Sequence, residues 1–321
     1  MTSIEALQIS VIIATRNREQ YLAQALESLC HQSVPADVFE VIVVDNGSTD
    51  GSRATAESYC SRRRRWKTLS EPKAGAAAAR NSGIRIAAAP WLLFLDDDVI
   101  ADVNLVEEHL KARQKSADDA ILGSVRFPWS GEGPLSWCLR QHPELLQSFR
   151  VENPNNVSFL HFYTCNLSMP RFFFEEHPGF DESFTASGFE DIELGYRFTR
   201  GGGKLVLHEK ASLLHDVQLS FEALSRKRYE SGRWARHLAN KHPELRTVLG
   251  GSPSLRAQVS SALGWLATVF RSRFDRPTGQ RLRPLVPLLG FLCWHHLQYR
   301  FRIGYQQAGR PLAEPCGNEL V

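Results

Sequence analysis

The chain alternates apolar segments that resemble buried strands with segments whose apolar residues recur at helical spacing. The first hundred residues carry most of this alternation. The predicted elements there are a strand at 7–15, a helix at 17–32, a strand and turn-rich loop at 39–51, a helix at 52–65, a short strand at 66–71, a helix at 75–89 and a strand at 91–99. Strands that alternate with helices predict a parallel α/β sheet whose ligands lie at the carboxyl ends of the strands.

The pattern is less regular in the second half of the chain. Residues 124–165 mix aromatic residues with Gly and Pro, which predicts a variable loop over a site. The elements predicted after it are a strand at 161–169, a helix at 189–202 and two short extended pieces at 204–216. From residue 221 onward the sequence is basic and has helical spacing.

Charge divides the chain in the same place. The composition, 43% hydrophobic and 23% charged, is that of a globular protein. Residues 1–220 contain 22 Lys and Arg against 29 Asp and Glu, whereas residues 221–321 contain 16 against 6. We therefore predict an acidic domain at 1–220 and a basic, aromatic helical extension at 221–321. No nucleic-acid motif accompanies the basic part, so we predict no nucleic-acid partner.

Cysteine spacing and the terminal segments bear on the compartment. The six cysteines form no CxxC pair, which argues against structural zinc and against a disulfide framework. Residues 1–10 lack the basic region of a signal peptide. The apolar segment 284–294 contains two prolines and is shorter than the roughly 20 residues that a membrane span needs. We expect a cytoplasmic protein, with peripheral contact at the inner membrane as an additional expectation.

Two acidic loops follow predicted strands. Asp45 ends "VIVVD", and Asp96, Asp97 and Asp98 follow "WLLFL" with no cation among them. Adjacent carboxylates repel one another unless a cation neutralises them, and a hard divalent ion bound by carboxylate oxygens does so. Because strands of a parallel sheet end at one edge, we expect both loops to converge on one crevice.

Two enzyme classes that use acidic metal sites match the triplet poorly. Phosphatases of the aspartyl-phosphate type have Thr or Val after the second spacer, near the N-terminus, whereas Ile100 stands here in mid-chain. Nucleotidyltransferases have a Gly-rich loop after the first strand, and residues 14–20, "ATRNREQ", contain no glycine. A solvated acidic loop is the remaining alternative, which the apolar strand before it disfavours.

Seven motifs in series resemble family 2 glycosyltransferases of the GT-A fold. In chain order they are "SVIIATRNR", "VIVVDNGSTDG", "KAGAAAARNSGI", "FLDDDV", "TCNLSMPRFFFEEHPGFDESF", "GFEDIELGYRF" and "LLHDVQLS". The resemblance implies a Rossmann-like, mostly parallel central sheet flanked by helices. It also implies inverting transfer of a sugar from a nucleoside-diphosphate sugar to a hydroxyl acceptor, either a glycan or a lipid-linked saccharide.

The resemblance implies a set of donor-binding residues. They are Thr15, Arg16, Asp45, Arg80, Asp96, Asp97 and Asn166. Asp45 is expected to accept a hydrogen bond from the nucleobase, with Thr15 and Arg16 in the same pocket. Arg80 is expected to neutralise the diphosphate, because a planar guanidinium fork suits phosphate. Asp96 is assigned a ribose or water-mediated contact.

A metal site and a general base follow from the same resemblance. Asp98 is the expected direct ligand of Mn²⁺ or Mg²⁺, although the triplet also permits Asp97, and His215 is the expected second ligand. His208 competes with His215, but "HDVQLS" matches the late strand of the family better. Carboxylates at a helix N-terminus are favoured as anions.

The motif "FED" (189–191) supplies the expected catalytic residues, Asp191 as the base and Glu190 as a supporting acceptor-binding group. Helix capping is the alternative role for either acid. A non-catalytic nucleotide-sugar-binding module is the alternative function, which the intact "FED" disfavours.

The basic extension carries weaker signals. Arg228 and Arg233 are candidates for a diphosphate contact, and a solvated helix face explains them as well. The segment 282–305 combines large apolar residues with flanking Arg, which fits a membrane interface, a helical cap or a dimer contact.

Overall fold

The computed structural model describes residues 6–128, 131–146, 151–185, 188–216, 220–249, 255–275 and 284–308. Parts of the predicted variable loop and residues 217–219 and 282–283 lie outside the described residues. The chain forms two compact units, Met1–Pro128 with Gln147–Val217, and Trp129–Leu146 with Gln218–Val321. The predicted division at residue 220 stays a prediction.

The first unit is built on one eight-stranded sheet with the order β3-β2-β1-β4-β7-β6-β8-β5. The strands are β1 (Ile9–Thr15), β2 (Phe39–Asp45), β3 (Trp66–Ser70), β4 (Trp91–Leu95), β5 (Val99–Ala101), β6 (Ala120–Arg126), β7 (Asn166–Pro170) and β8 (Leu205–His215). The first four strands in chain order pair in parallel, and β6 is parallel to β8. Only β7 and β5 run antiparallel to their neighbours in the described sheet. The predicted mostly parallel sheet flanked by helices is confirmed.

The central strands are buried on both faces, which is why they form continuous apolar runs. In β1, Ile9, Val11 and Ile13 join one apolar cluster, whereas Ile12 joins the other. The helices of this unit cover the two faces. They are α1 (Glu19–Cys30), α2 (Ser52–Ser61), α3 (Ala76–Ile86), α4 (Leu105–Arg113), α6 (Phe173–Glu176) and α7 (Glu190–Arg200).

Three predicted elements differ from the observed ones. The strand predicted at 91–99 ends at Leu95, and the aspartates lie in a turn before the separate strand β5. The two extended pieces predicted at 204–216 are one strand, β8, whose pairing with β6 shifts between Gly123 and Ser124 to accommodate residues 209–211. The strand predicted at 161–169 begins only at Asn166. Before it, Phe162 lies in a buried turn against Gly195, where an added Cβ would come within 2.5 Å of the Phe162 ring.

The second unit is helical. Its helices are α5 (Pro134–Gln141), α8 (Phe221–Lys241), α9 (Leu255–Leu266) and α10 (Val286–Gln307), with 3₁₀ helices at Pro143–Leu146, Pro243–Leu245 and Ala267–Arg273. Glycines allow α8 and α10 to approach closely, because a Cβ on Gly232 or Gly304 would lie 1.9 Å from a backbone oxygen of the other helix. Among the described residues, every helix is too short or too polar to cross a bilayer.

Candidate active site

The acidic loops meet at the carboxyl edge of the sheet. Thr15 pairs with Asp45 at the ends of β1 and β2, and β4 ends beside β1 at Leu95. The three aspartates therefore occupy the turn between β4 and β5. The loops after β1 and β2 are joined by hydrogen bonds, including one from the backbone N–H of Asn17 to Ser48 Oγ at 3.0 Å. Both acidic loops therefore lie at the same edge of the sheet, on either side of the end of β1.

Asp97 points toward β1. Its Oδ2 accepts a hydrogen bond from Thr15 Oγ1 at 2.7 Å. Burial, together with the neighbouring charge of Asp98, raises the pKa of Asp97 to about 7. Asp97 and Thr15 are therefore engaged with each other, and their predicted donor contacts stay predictions.

In the described part of the chain, one cluster has the composition of a metal site. It consists of Asp96, Asp98 and His215, whose ligand atoms lie within 4.8 Å of one another. His215 reaches the aspartates because Val99 of β5 pairs with it on β8. His208, its competitor in the sequence, instead contacts Glu108 at 2.9 Å. The structure therefore brings His215, and not His208, to the acidic triplet.

The donor set of this cluster fits a divalent cation. Asp98 Oδ1 lies 3.0 Å from His215 Nε2, yet it is buried without a hydrogen bond of acceptable geometry. Burial would lower the pKa of His215, but the carboxylates of Asp96 and Asp98 raise it to about 9. The imidazole therefore carries a proton. The two carboxylates thus favour positive charge at this point, and a divalent cation that replaced the proton would supply it. Two carboxylates and one imidazole are ligands that Mn²⁺ accepts.

Arg80 connects this cluster with the start of α7. It is almost completely buried; its Nη1 donates to Glu190 Oε1 at 2.8 Å and its Nη2 to Asp96 Oδ1 at 3.2 Å. Its guanidinium lies over the Phe180 ring, 5.6 Å from the centroid. The small residues at the start of α3 let that helix lie close to the sheet, with Ala77 and Ala79 buried.

Glu190 and Asp191 have different surroundings. Both oxygens of Glu190 are committed, one to Arg80 and the other to the backbone N–H of Gly188 at 2.6 Å. Asp191 accepts through Oδ1 from the backbone N–H of Ile192. Burial and the charge of Glu190 raise the pKa of Asp191 to about 7. Its carboxyl therefore combines a bond that fixes its position with an ability to exchange a proton near neutral pH.

The backbone before Glu190 is in a strained conformation. Phe189 has φ 71°, in the left-handed region that a bulky side chain rarely adopts. Glu190 and Asp191 directly follow it as the first two residues of α7. The left-handed conformation of Phe189 makes a sharp turn into α7. This turn sets the positions of the Glu190 and Asp191 side chains.

Sequence reasoning missed Arg18. Its Nη1 donates to Asp98 Oδ2 at 2.9 Å, whereas the predicted Arg16 is exposed. The residue between them, Asn17, has φ 55°, and this turn directs the second arginine of "TRNR" to the aspartates. The sequence shows two arginines, Arg16 and Arg18, separated by one residue. This pattern does not reveal which of them points toward the aspartates.

The other predicted residues lie as follows. Asp45 is buried and accepts from the backbone N–H of Ser48 at 3.1 Å. Asn166 is fully buried and pairs with Leu95, the residue before Asp96, while its side-chain amide bonds with His109, Ser124 and Ala211. A Cβ on Gly123 would lie 2.2 Å from this amide. The donor-binding roles of both residues stay predictions.

Arg228 and Arg233 belong to α8 of the second unit. Arg228 lies over the Phe301 ring at 4.8 Å from the centroid, and Arg233 lies 3.8 Å from Glu230 one turn earlier. The first contact joins α8 to α10, and the second lies within α8. The predicted diphosphate contacts of both arginines stay predictions.

Comparisons with known proteins agree with the resemblance. The chain is 34% identical over 226 residues to validoxylamine A glucosyltransferase of Streptomyces hygroscopicus subsp. limoneus, which covers 60% of this chain and 48% of that protein. It therefore spans about half the length of the two validoxylamine A glucosyltransferases that it matches.

Solved structures have the same fold. Mannosyltransferase PcManGT from Pyrobaculum calidifontis, in complex with GDP-Man and Mn²⁺, superposes with a TM-score of 0.62 at 17% identity, covering 94% of this chain and 87% of that one. S. aureus TarS 1–349, in complex with UDP-GlcNAc, gives 0.52 at 18% identity, covering 94% and 92%. The predicted GT-A fold is confirmed.

The model of the family described as glycosyl transferase family 2 matches residues 10–177, which is more than half of the chain. The motifs that carry the resemblance from "SVIIATRNR" to "FLDDDV" all lie within this range. The chain belongs to glycosyl transferase family 2.

Proposed function

We propose that the protein transfers a hexosyl or deoxyhexosyl group from a nucleoside-diphosphate sugar to a hydroxyl acceptor, with inversion at the anomeric carbon. One observation carries the proposal: Asp96, Asp98 and His215 come together beside the Arg80–Glu190 pair, directly next to Asp191. A candidate cation site is thus linked through Arg80 to the start of α7, where the candidate base lies, and this supports the proposal.

Each group has a chemical task in this reaction. Asp96, Asp98 and His215 would hold a divalent ion, which when bound neutralises the charge that develops on the leaving diphosphate. Arg80 is a fixed, buried cation at the same place, and its guanidinium carries five N–H groups, of which the bonds to Glu190 and Asp96 use two. It can therefore also bind a phosphate oxygen.

Asp191 is the proposed general base. It takes the proton of the acceptor hydroxyl while the acceptor oxygen attacks the anomeric carbon, and the bond from that carbon to the diphosphate oxygen breaks with its electron pair. A pKa near 7 suits this task, because the carboxylate is populated at neutral pH and remains a competent proton acceptor. Glu190, whose two oxygens bond with Arg80 and Gly188, acts as a positioning residue, and its predicted role in acceptor binding stays a prediction.

Similar proteins support the proposed donor class. One relative is named as a glucosyltransferase, and two structural neighbours are in complex with GDP-Man and UDP-GlcNAc, so of the two proposed groups we favour a hexosyl donor. For the acceptor we propose a hydroxyl of a saccharide or of a lipid-linked saccharide.

The proposal is tested by a thermal-shift screen of nucleotide sugars with Mn²⁺ and with EDTA. We expect one donor class to raise the melting temperature only with the metal, and the same donor to be hydrolysed slowly to nucleoside diphosphate and sugar. The variant Asp98→Asn should lose the metal-dependent shift, and Glu57→Gln, an exposed carboxylate on α2, should retain it.

Binding of a donor without any hydrolysis or transfer would support the nucleotide-sugar-binding module instead. If no nucleotide sugar shifts the melting temperature in either buffer, the proposal is wrong.

A further inference from the structure

The second unit carries an exposed apolar patch, which we define as Trp265, Leu266, Val269 and Phe270. Their exposed fractions are 60%, 52%, 78% and 44%. In the described part of the chain, eight of the eleven exposed large hydrophobic side chains belong to this unit. Isolated exposed apolar residues are ordinary, but four within six residues indicate a surface that is covered in function.

The patch is held rigidly from below. It spans the end of α9 and the 3₁₀ helix Ala267–Arg273, and the two residues that face inward, Ala267 and Phe274, are fully buried. Phe274 packs on Phe221 with ring centroids 4.6 Å apart. The apolar side chains therefore point outward because the same segment is anchored on its other side.

Positive charge lies at the edge of the patch. Arg271 and Arg273 follow it directly and are exposed. A cavity of about 250 Å³ is lined by Trp265 of the patch together with Thr268, Arg271 and Arg300, and by Glu222 as its acidic residue. The guanidinium of Arg300 lies over the Tyr229 ring, 5.0 Å from the centroid, and its buried Nε has no hydrogen-bond partner. The cavity thus offers two guanidinium groups and a hydroxyl to an anion.

We propose that this face of the second unit binds the surface of an anionic phospholipid bilayer. The patch enters the boundary between headgroups and acyl chains, while Arg271 and Arg300 bind a lipid phosphate in the cavity. The excess of basic residues in 221–321, 16 against 6 acidic ones, adds long-range attraction to such a surface.

Two alternative occupants fit the patch and the cavity less well. A second copy that used the same face in a two-fold contact would bring two basic edges into one interface, and the patch itself offers no acidic side chain to pair with them. A free phosphate ion would bind the arginines but leave the four apolar side chains uncovered. An anionic bilayer satisfies both the apolar and the charged part.

The segment 282–305, for which the sequence allows a membrane interface, lies mostly in α10. This helix buries Val286, Cys293 and Leu297 and leaves Leu288 and Phe291 exposed. A membrane contact of that segment stays a prediction, and the patch is a further exposed apolar surface of the same unit.

Flotation of the full chain with lipid vesicles tests the proposal. Wild-type protein should float with vesicles of phosphatidylcholine and phosphatidylglycerol at low salt, and at least about tenfold less with phosphatidylcholine alone. The double variant Val269→Glu, Phe270→Glu should lower binding to the anionic vesicles by at least about tenfold. Val103→Glu is the matched control, since Val103 is 54% exposed in the first unit and its variant should float like wild type.

Charge and insertion are tested separately. Arg271→Glu should weaken binding to anionic vesicles, whereas Arg246→Glu, the same charge change at an exposed residue outside the patch, should weaken it much less. Brominated lipid should quench the tryptophan fluorescence of wild type more than that of Trp265→Phe. This second readout remains informative if the double variant does not fold.

Three outcomes overturn the proposal. The first is wild-type protein that does not float with anionic vesicles, or patch variants that float as well as Val103→Glu. The second is a thermal shift with inorganic phosphate in a protein that binds no vesicles. The third is a wild-type dimer, measured by light scattering, that the patch variants dissociate, because a second copy would then cover the patch.

Discussion

Replacing Asp191 with Asn should abolish transfer and at the same time stabilise the protein at alkaline pH. The amide keeps the side-chain oxygen that accepts from the Ile192 N–H, so the local bond at the start of α7 survives. It loses the negative charge beside Glu190 and the ability to accept a proton. Without proton acceptance the variant has no base, so transfer stops. Without the charge its repulsion with Glu190 is removed, so the folded state becomes more stable.

The stability change follows from the pKa of Asp191. Its folded value of about 7 lies above the ordinary 3.8, so the folded state binds the proton more tightly and stability falls as pH rises through this interval. Above pH 7 the whole cost is present, and the difference between the two values corresponds to about 4 kcal/mol. The Asn variant should therefore unfold at higher urea than wild type at pH 8, and the gap should close toward pH 4.

The rate change follows from the loss of the base. A positioned general base contributes roughly 10²- to 10⁴-fold, so kcat should fall by at least about two orders of magnitude while donor affinity stays near the wild-type value. Release of nucleoside diphosphate measures the first and donor titration the second. Glu57→Gln should change neither quantity.

Transfer by the Asn variant at near-normal rate would place the base elsewhere. An Asn variant less stable than wild type at pH 8 would refute the electrostatic reasoning.

Three further predictions concern the metal, a buried histidine and a helix contact. His215→Ala should weaken Mn²⁺ binding in a calorimetric titration by at least about tenfold, whereas His208→Ala should not, since His208 contacts Glu108 instead. His109 is buried and its pKa is lowered to about 4, so wild-type stability should fall by about 3 kcal/mol as pH drops from 6.5 toward that value, and urea unfolding of His109→Gln should lack this part of the slope. Gly304→Ala should cost at least about 2 kcal/mol in urea unfolding because the new Cβ meets backbone at 1.9 Å, whereas Gly201→Ala, with its nearest atom at 3.3 Å, should cost much less.

The strands of the parallel part of the sheet could be predicted from the sequence, because each is marked by its own run of residues. β1, β2 and β4 are buried on both faces, so their apolar runs are continuous and reveal each strand. The acidic loops could be placed at one edge for the same reason, since the carboxyl ends of parallel strands meet there.

The elements that were mispredicted depend on tertiary packing. The segment 204–216 was predicted as two extended pieces, but β8 is continuous because its pairing with β6 shifts register between Gly123 and Ser124. Phe162 has strand propensity, yet it fills the space above Gly195 and the strand begins later.

Arg80 shows how the two ends of the candidate site depend on each other. A single buried guanidinium holds Glu190 at the start of α7 and Asp96 at the end of β4. Losing either carboxylate would leave the buried cation with one partner, which costs more than an exposed ion pair contributes. The position of the proposed base, one residue after Glu190, is thereby tied to the position of the proposed metal ligands. Because this link joins residues that are 110 positions apart in the chain, motif spacing could identify both ends but not the bond between them.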